Sequence, residues 1–351
     1  MIRYLAKRIL LVIPTLFGII AINFAVVQFA PGGPVETIMA KLKHPHGMGA
    51  ETAPVGANGL YRGAQGLDPS LIAQLDKQFG FDKPPLTRFF IMIRGYLTFN
   101  LGQSFFQGAS VVSLVLQRLP ISLSLGLWST LIVYAISIPL GITKAVRDGS
   151  RFDLTSSLFI LTGYAVPGFL LAIFLVVLFG SGGLLPIFPL RGLASANAAT
   201  YSWPARIADY AWHMVLPTLA MTVGGFASLT MLTKNSFLEE IRKLYVLTAR
   251  AKGASETRVL YGHIFRNAML LVIAGFPAAF VNILFTSALL VEIIFSLNGL
   301  GLLGYNAVLQ RDYPVMFGTL YIYTLTGLIM QIIGDFLYTV IDPRIDFERR
   351  P

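Results

Sequence analysis

The chain has 351 residues, 55% of them hydrophobic and only 13% charged, with a formal net charge of +10 and a mean hydropathy of +0.69. Soluble domains carry about 25% charged residues, so an ordinary soluble domain is excluded and a polytopic membrane protein is indicated. There is no cysteine, which also excludes disulfides and thiolate metal sites.

A helix needs about 20 apolar residues to cross a hydrocarbon core roughly 30 Å thick, and a lone strand would leave its backbone groups unpaired there. Six runs reach that length, at 9–29, 121–142, 154–179, 214–233, 268–295 and 315–341. The first is too long for a signal-peptide core, and Pro31 directly follows Ala30, the one small residue suited to cleavage, so it is read as a retained span. Between the first two spans lies a long polar segment, 30–120. Within it, 43–66 is rich in Gly, Pro and Ala and reads as a loop. His44 and His46 there lack a third ligand nearby and are not read as a metal site. The stretch 68-DPSLIAQLDKQFG-80 predicts a short helix capped by Asp68, with Pro69 at its first position and Gly80 closing it. Residues 84–117 add further short helical or irregular pieces.

Basic residues set the orientation. The N-terminus, 143–153, 234–267 and the C-terminal tail share one side and hold most of the Lys and Arg, whereas the short segments 180–213 and 296–314 hold only Arg191, Arg206 and Arg311. The basic side is therefore read as cytoplasmic, with both termini on it. Cations spread over membrane-flanking loops do not make a nucleic-acid surface. Later in the chain, Pro167, Pro217 and Pro277 are expected to kink their helices, and Gly224-Gly225 with Ala227 and Ser228 to permit close helix contact. Glu292 and Asp335 are intramembrane carboxylates and so pathway candidates. Both also lie near enough to an interface to reach water or a local partner, and the two readings stand side by side.

The chemistry of the chain is mostly defined by what it lacks. No G-x-x-x-x-G-K-[ST] loop for ATP phosphates and no H-E-x-x-H zinc motif occurs. His213 and His263 fall on opposite sides of the membrane in this topology, so a hydrolase site is poorly supported. A secondary transporter would favour ionisable groups at the bilayer midplane and recognisable repeats, and neither is evident.

The loop 234–267 stands out because seven cations lie between Lys234 and Arg266. The spacing 236-SFLE-239 predicts a helix start by a capping box of Ser236 and Glu239. Its apolar face is expected to comprise Phe237, Ile241, Leu244 and Thr248, flanked by Leu238 and Tyr245. Gly253 is expected to supply a positive-φ turn, with Ser255 capping a second helix and Glu256 at its positive end. Ala249, Ala251, Gly253 and Ala254 would let another surface approach closely. A docking site and a basic loop lying on anionic lipid fit these residues equally well.

The segments 245-YVLTARAKGAS-255 and 263-HIFRNA-268 resemble the cytoplasmic loop of ABC-importer permeases, in the form used by the dipeptide and oligopeptide branch. Ala249 and Gly253 match the general pattern, while Leu247 and Thr248 stand where it has Glu and Ala, and Leu271 where the branch has Pro. The segments 30-APGGP-34, 80-GFDKP-84, 100-NLGQS-104, 118-RLP-120, 292-EIIFSLNGLGLLG-304, 311-RDYPV-315 and 342-DPRI-345 are similar to the same branch in order, with Gly33 and Asn100 where Asp is usual. The resemblance covers nearly the whole chain. It implies an all-α integral membrane protein with six transmembrane helices, the type I ABC-importer permease fold and a partly helical external segment between spans 1 and 2. The divisions are 1–29 for the first helix, 30–120 periplasmic, 121–341 for the permease domain and 342–351 for a cytoplasmic tail. It further implies a non-catalytic subunit of a bacterial inner-membrane importer with no cofactor of its own. Its partners would be a second homologous permease, an ATPase that binds ATP and Mg, a periplasmic peptide-binding protein and membrane lipid. Oligopeptides or microcin C-like peptides would cross by alternating access. Docking to the ATPase would fall to Ala249, Arg250, Lys252, Gly253, Ala254, Ser255 and Glu256.

Overall fold

The apolar runs are helical in the computed structural model, which describes residues 2–29, 82–282 and 288–341. The loop 43–66, the helix expected at 68–80 and the tail 342–351 lie outside the described residues. In chain order the helices are α1 (Ile2–Phe29), α2 (Pro85–Leu97), α3 (Val111–Val146), α4 (Arg151–Ala165), α5 (Gly168–Phe179), α6 (Trp203–Ile241) and α7 (Leu244–Ala251). They continue with α8 (Glu256–Arg258), a π-helical stretch Val259–Ile264, α9 (Phe265–Ala274), α10 (Phe276–Asn282), α11 (Ala288–Ile294), α12 (Leu300–Gln310) and α13 (Tyr313–Ile341).

Five stretches are each long and apolar enough to cross a membrane: Ala6–Ala25, Val111–Val146, Trp203–Ile241, Glu256–Asn282 and Tyr313–Leu337. A sixth would be the pair α4 and α5, which meet at a 92° bend. The span expected at 154–179, with a kink at Pro167, is thus two pieces of roughly 22 and 18 Å at the α-helical rise. The break has a local cause: Val166 is driven to an extended ψ of 117° ahead of Pro167, whose missing N–H cannot continue the ladder. Pro217, in contrast, sits within the uninterrupted 39 residues of α6. For the fifth span, expected at 268–295, Glu256–Asn282 is one stretch long and apolar enough to cross and α11 follows at Ala288–Ile294. Residues 283–287 lie outside the described residues, so the end of this span is left as expected, and Val291, Phe295 and Leu297 are buried in protein.

The chain divides into two compact units. The first holds 118–302 with the start of α1 and the end of α13. Its packing depends on small residues where α3 meets α6: a Cβ on Gly141 would lie 2.6 Å from Thr233 Cβ, and one on Gly225 would lie 2.9 Å from Val133 Cγ2. The close contact expected at Gly224-Gly225 therefore belongs to Gly225, since a Cβ on Gly224 would meet nothing within 4 Å. One core gathers Val133, Ile142, Phe237, Val246, Ile264 and Val272 from α3, α6, α7, the π stretch and α9. Another gathers Leu125, Ala172, Leu216, Val291 and Phe295.

The second unit holds 13–117 and 303–322. Phe89 of α2 packs on Phe17 and Phe24 of α1 at 5.7 and 5.3 Å. The segments 100–104 and 311–315, read separately from the sequence, meet here: Ser104 donates to buried Asp312 at 2.5 Å, and the Phe105 N–H donates to its other oxygen at 3.2 Å. Asp312 immediately precedes α13, so this pairing fixes where that helix begins.

Candidate docking turn and buried polar clusters

α6 runs through the helix start expected at Ser236, and both Ser236 and Glu239 lie inside it. No Gly or Pro stands between Ala227 and Ile241 to stop the chain. The capping-box spacing is therefore a coincidence within a helix whose backbone donors are already used. The chain turns only at Arg242 and Lys243, and Lys243 takes the N-cap position of α7. Lys243 pairs with Glu240. The Tyr245 hydroxyl donates to the second Glu240 oxygen at 2.7 Å and accepts from Asn267 at 3.3 Å. Burial, seconded by the bond to Glu240, pushes the Tyr245 hydroxyl up to about 12. The same carboxylate holds Lys243 above its ordinary value. Both groups keep their bonding forms at neutral pH, so α7 is tied to the end of α6 and to α9.

One face of α7 is sealed against the spans. Val246 is fully buried and Ala249 is 9% exposed, both within the core shared by α3, α6 and α9. The opposite side presents Leu244, 80% exposed, and Leu247, 54% exposed. Two expectations are corrected here. Leu244 and Thr248 do not share the buried face of Phe237, and Ala249, expected among the docking residues, packs inward rather than on the exposed side. The reason is the turn at Arg242–Lys243, which resets the helical phase between α6 and α7.

The end of α7 is the expected positive-φ turn. Gly253 has φ 80°; its N–H donates to Arg250 O at 2.9 Å and the Ala254 N–H to Ala249 O at 3.2 Å, the paired bonds of a Schellman closure. Arg250 then reaches across the turn to Glu256 with two bonds of 2.9 Å. Glu256 thus serves as a clamp as well as an anion at the start of α8. Ser255 has N-cap backbone angles but makes no side-chain cap bond. Of the residues expected to dock, Arg250, Lys252, Gly253, Ser255 and Glu256 are exposed and Ala254 is half-buried.

Near α7, charges counted in the sequence as topology signals form a buried cluster. Lys144, fully buried at the end of α3, donates to Asp153 O, Ser156 Oγ and Ser157 Oγ at 2.7–2.9 Å. It also pairs with Asp153 Oδ1 at 2.9 Å. Asp153 Oδ2 holds Lys234 of α6 at 2.7 Å, and Lys234 holds Asp148 at 2.9 Å. Three helices are joined by one carboxylate. A Lys at a span edge and an Asp nine positions on were visible in the sequence, but nothing there shows that they turn toward each other.

Glu292 is fully buried. Its carboxylate accepts from Ser122 Oγ at 2.8 Å and from the Leu302 N–H at 2.7 Å, while Ser122 Oγ accepts from the Leu300 N–H at 2.8 Å. It therefore satisfies the first turn of α12, where an anion is also favoured by the helix dipole. Gly299 is required beside it, because a Cβ there would lie 2.0 Å from Glu292 Oε1. Asp335 pairs with Arg8 at 3.0 Å and lines a cavity between α9–α10 and α13. Among the described residues no cluster of three His, Cys, Asp or Glu could hold a metal.

Residues 137–347 match the family described as binding-protein-dependent transport system inner membrane component. The chain belongs to this family. The permease is 56% identical over 99% of both chains to the inner membrane ABC transporter permease protein YejB of Escherichia coli O157:H7. It is 55% identical, again over 99% of both, to the peptidoglycan transport system permease protein YejB of Agrobacterium fabrum. Against the dipeptide transport system permease protein DppB of Escherichia coli K12, identity is 32% over 98% of the permease and 99% of the relative. A solved inward-facing MetNI methionine ABC transporter superposes with TM-score 0.52 and 16% identity, covering 66% of the permease and 97% of that chain, which supports the fold. The permease is accordingly a multi-pass inner-membrane subunit, of the non-catalytic kind these relatives represent.

Proposed function

We propose that the permease is one of two transmembrane subunits of an ATP-driven peptide importer and that the turn at Gly253 docks in a partner ATPase. The observation that carries this reading is the two-sided character of α7. Its inner face is continuous with the core of the spans, and its outer face offers Leu244, Leu247 and the Arg250–Glu256 clamp to a partner. A rigid element of that kind converts closure of an ATPase into movement of spans, provided the ATPase states differ in their contact free energy with it. The basic loops support a cytoplasmic position for this turn and for both termini. A periplasmic binding protein delivers substrate to the opposite face, and peptide crosses between this chain and a second, related permease by alternating access. The names of the relatives, which refer to peptidoglycan and dipeptide transport, support peptide-containing cargo; the narrower reading, oligopeptides or microcin C-like peptides, rests on the resemblance of the sequence.

The test is affinity purification from the native membrane followed by uptake in vesicles. An ATPase and a second permease should co-purify, and labelled peptide should enter only with ATP. Reproducible absence of an ATPase, with uptake driven by a proton gradient instead, would sink the proposal in favour of a secondary transporter.

A further inference from the structure

A cavity of about 530 Å³ opens within the first unit between α9–α10 and α13, within the range of roughly 300–1,000 Å³ usual for ligand sites. Its walls are mostly small. Ala274, Pro277, Ala278 and Val281 come from one side, and Gly327 and Gly334, with the larger Met330, from the other, each set spaced to fall on one helical face. Two side-chain amides interrupt this apolar surface, Asn282 and Gln331, both exposed. Neither makes a side-chain hydrogen bond with another described residue. Gln331 lies six residues, roughly 9 Å at the α-helical rise, inside the Leu337 end of the Tyr313–Leu337 span, within a hydrocarbon core roughly 30 Å thick. Lipid tails offer such a group no partner, so an exposed amide within a span belongs to protein or to a water-filled route.

We propose that this cavity is a peptide-contact site of the translocation route, where Asn282 and Gln331 bond to the peptide main chain. The proposal rests on the peptide-import reading above. Each amide carries both a donor and an acceptor, the complement of a backbone N–H and C=O, and such pairing is indifferent to peptide sequence. The Ala and Gly residues of the walls leave room for varied side chains, and Met330 is unbranched and can adapt to them. Asp335 lines the same cavity but is neutralised by Arg8 at 3.0 Å, so the site carries no net charge that would sort acidic from basic peptides.

The chain has no cysteine, so a single introduced cysteine is the one thiol on this chain, and the unaltered transporter gives the background from its other subunits. In vesicles holding the assembled transporter and its binding protein, Asn282→Cys and Gln331→Cys are treated with a charged, water-soluble methanethiosulfonate, with and without alanine tri- to hexapeptides. Ile329→Cys is the comparison, since Ile329 is exposed and apolar and about 200° around α13 from Gln331. The cavity cysteines should react about tenfold faster than the one at 329, and the peptides should slow them severalfold. Equal reactivity at all three positions overturns the proposal by placing the amides against lipid or a partner helix. Fast labelling that the peptides leave unchanged also overturns it. Gln331→Leu, which suits a membrane span, should lower uptake about tenfold at normal abundance, equivalent to ~1.4 kcal/mol; unchanged uptake counts against the site. If the unaltered transporter takes up none of these peptides, the import reading fails with it. If uptake is normal and the cysteines are unprotected, only the cavity assignment fails.

Discussion

Replacing Gly253 by valine separates a docking turn from a loop held to lipid. The native φ of 80° is a conformation in which an L-residue costs roughly 1–2 kcal/mol, with β-branching at the upper end. A Cβ at this position would meet no atom of the chain within 4 Å, so no clash inside the permease adds to that cost. One or two kcal/mol changes the population of the intact turn by a factor of about 5–30, while the spans, which do not use the turn, still insert. Gly253→Val should therefore reach the membrane in normal amount, lose peptide uptake by about fivefold or more, and retain less ATPase on purification. Gly253→Asn should be milder, because Asn tolerates this region. Uptake, membrane abundance by immunoblot and ATPase co-purification are measured together, beside Lys252→Ala. Full uptake and full ATPase association in the valine variant would refute the reasoning. Uptake that survives the valine but falls with Lys252→Ala would favour the lipid surface, where loss of a cation matters more than backbone shape.

Asp153→Asn leaves Lys144 buried without its carboxylate and should cost about 3–5 kcal/mol, read as a lower unfolding temperature of the purified permease in detergent; an unchanged midpoint would show that the cluster does not support the fold. Gly299→Ala drives a methyl into Glu292, 2.0 Å away, and should reduce abundance and protease resistance, whereas Gly224→Ala, with open space around it, should leave both intact. If the two alanines behave alike, the role of Glu292 in holding α12 is wrong. For topology, a cysteine at Asn197 should react with a membrane-impermeant maleimide in intact spheroplasts and one at Ser255 only after permeabilisation. The reverse pattern would invert the orientation.

The spans and the turn at Gly253 were legible in the sequence to different degrees, for physical reasons. An apolar run reports that a helix is sheltered from water but not where it stops. α6 continues from Trp203 to Ile241 because amphipathic turns flank its apolar centre. The same limit hid the burial of Val291 and Phe295 inside protein. The turn at Gly253 was readable because only backbone permissiveness is at stake, whereas the capping box at Ser236 misled because its spacing also occurs within helices. Pro167 announced a kink, but the 92° bend depends on what packs around it. Glu292 was visible as an intramembrane carboxylate. Its partner Ser122 lies 170 positions away, a pairing that no local pattern encodes. Lys144 and Lys234 looked like interface charges, and only the approach of α4 makes them a cluster.

Between the docking turn and α9 the chain takes the π-helical path of Val259–Ile264, with the Phe265 N–H donating to Leu260 O. An i→i+5 turn holds one residue more than the α-helix that would otherwise join the same two ends. The stretch therefore acts as a store of one surplus residue. Deleting a residue within it closes the helix to ordinary α geometry and leaves the flanking segments in phase. Deleting one from α9 instead rotates everything beyond it, including the face that carries Pro277 and Asn282, by about 100° with respect to the Gly253 turn. Along this segment a one-residue deletion is expected to keep the lining of the span toward its partner helix, α13, when it falls within the π stretch and to turn it away when it falls within α9.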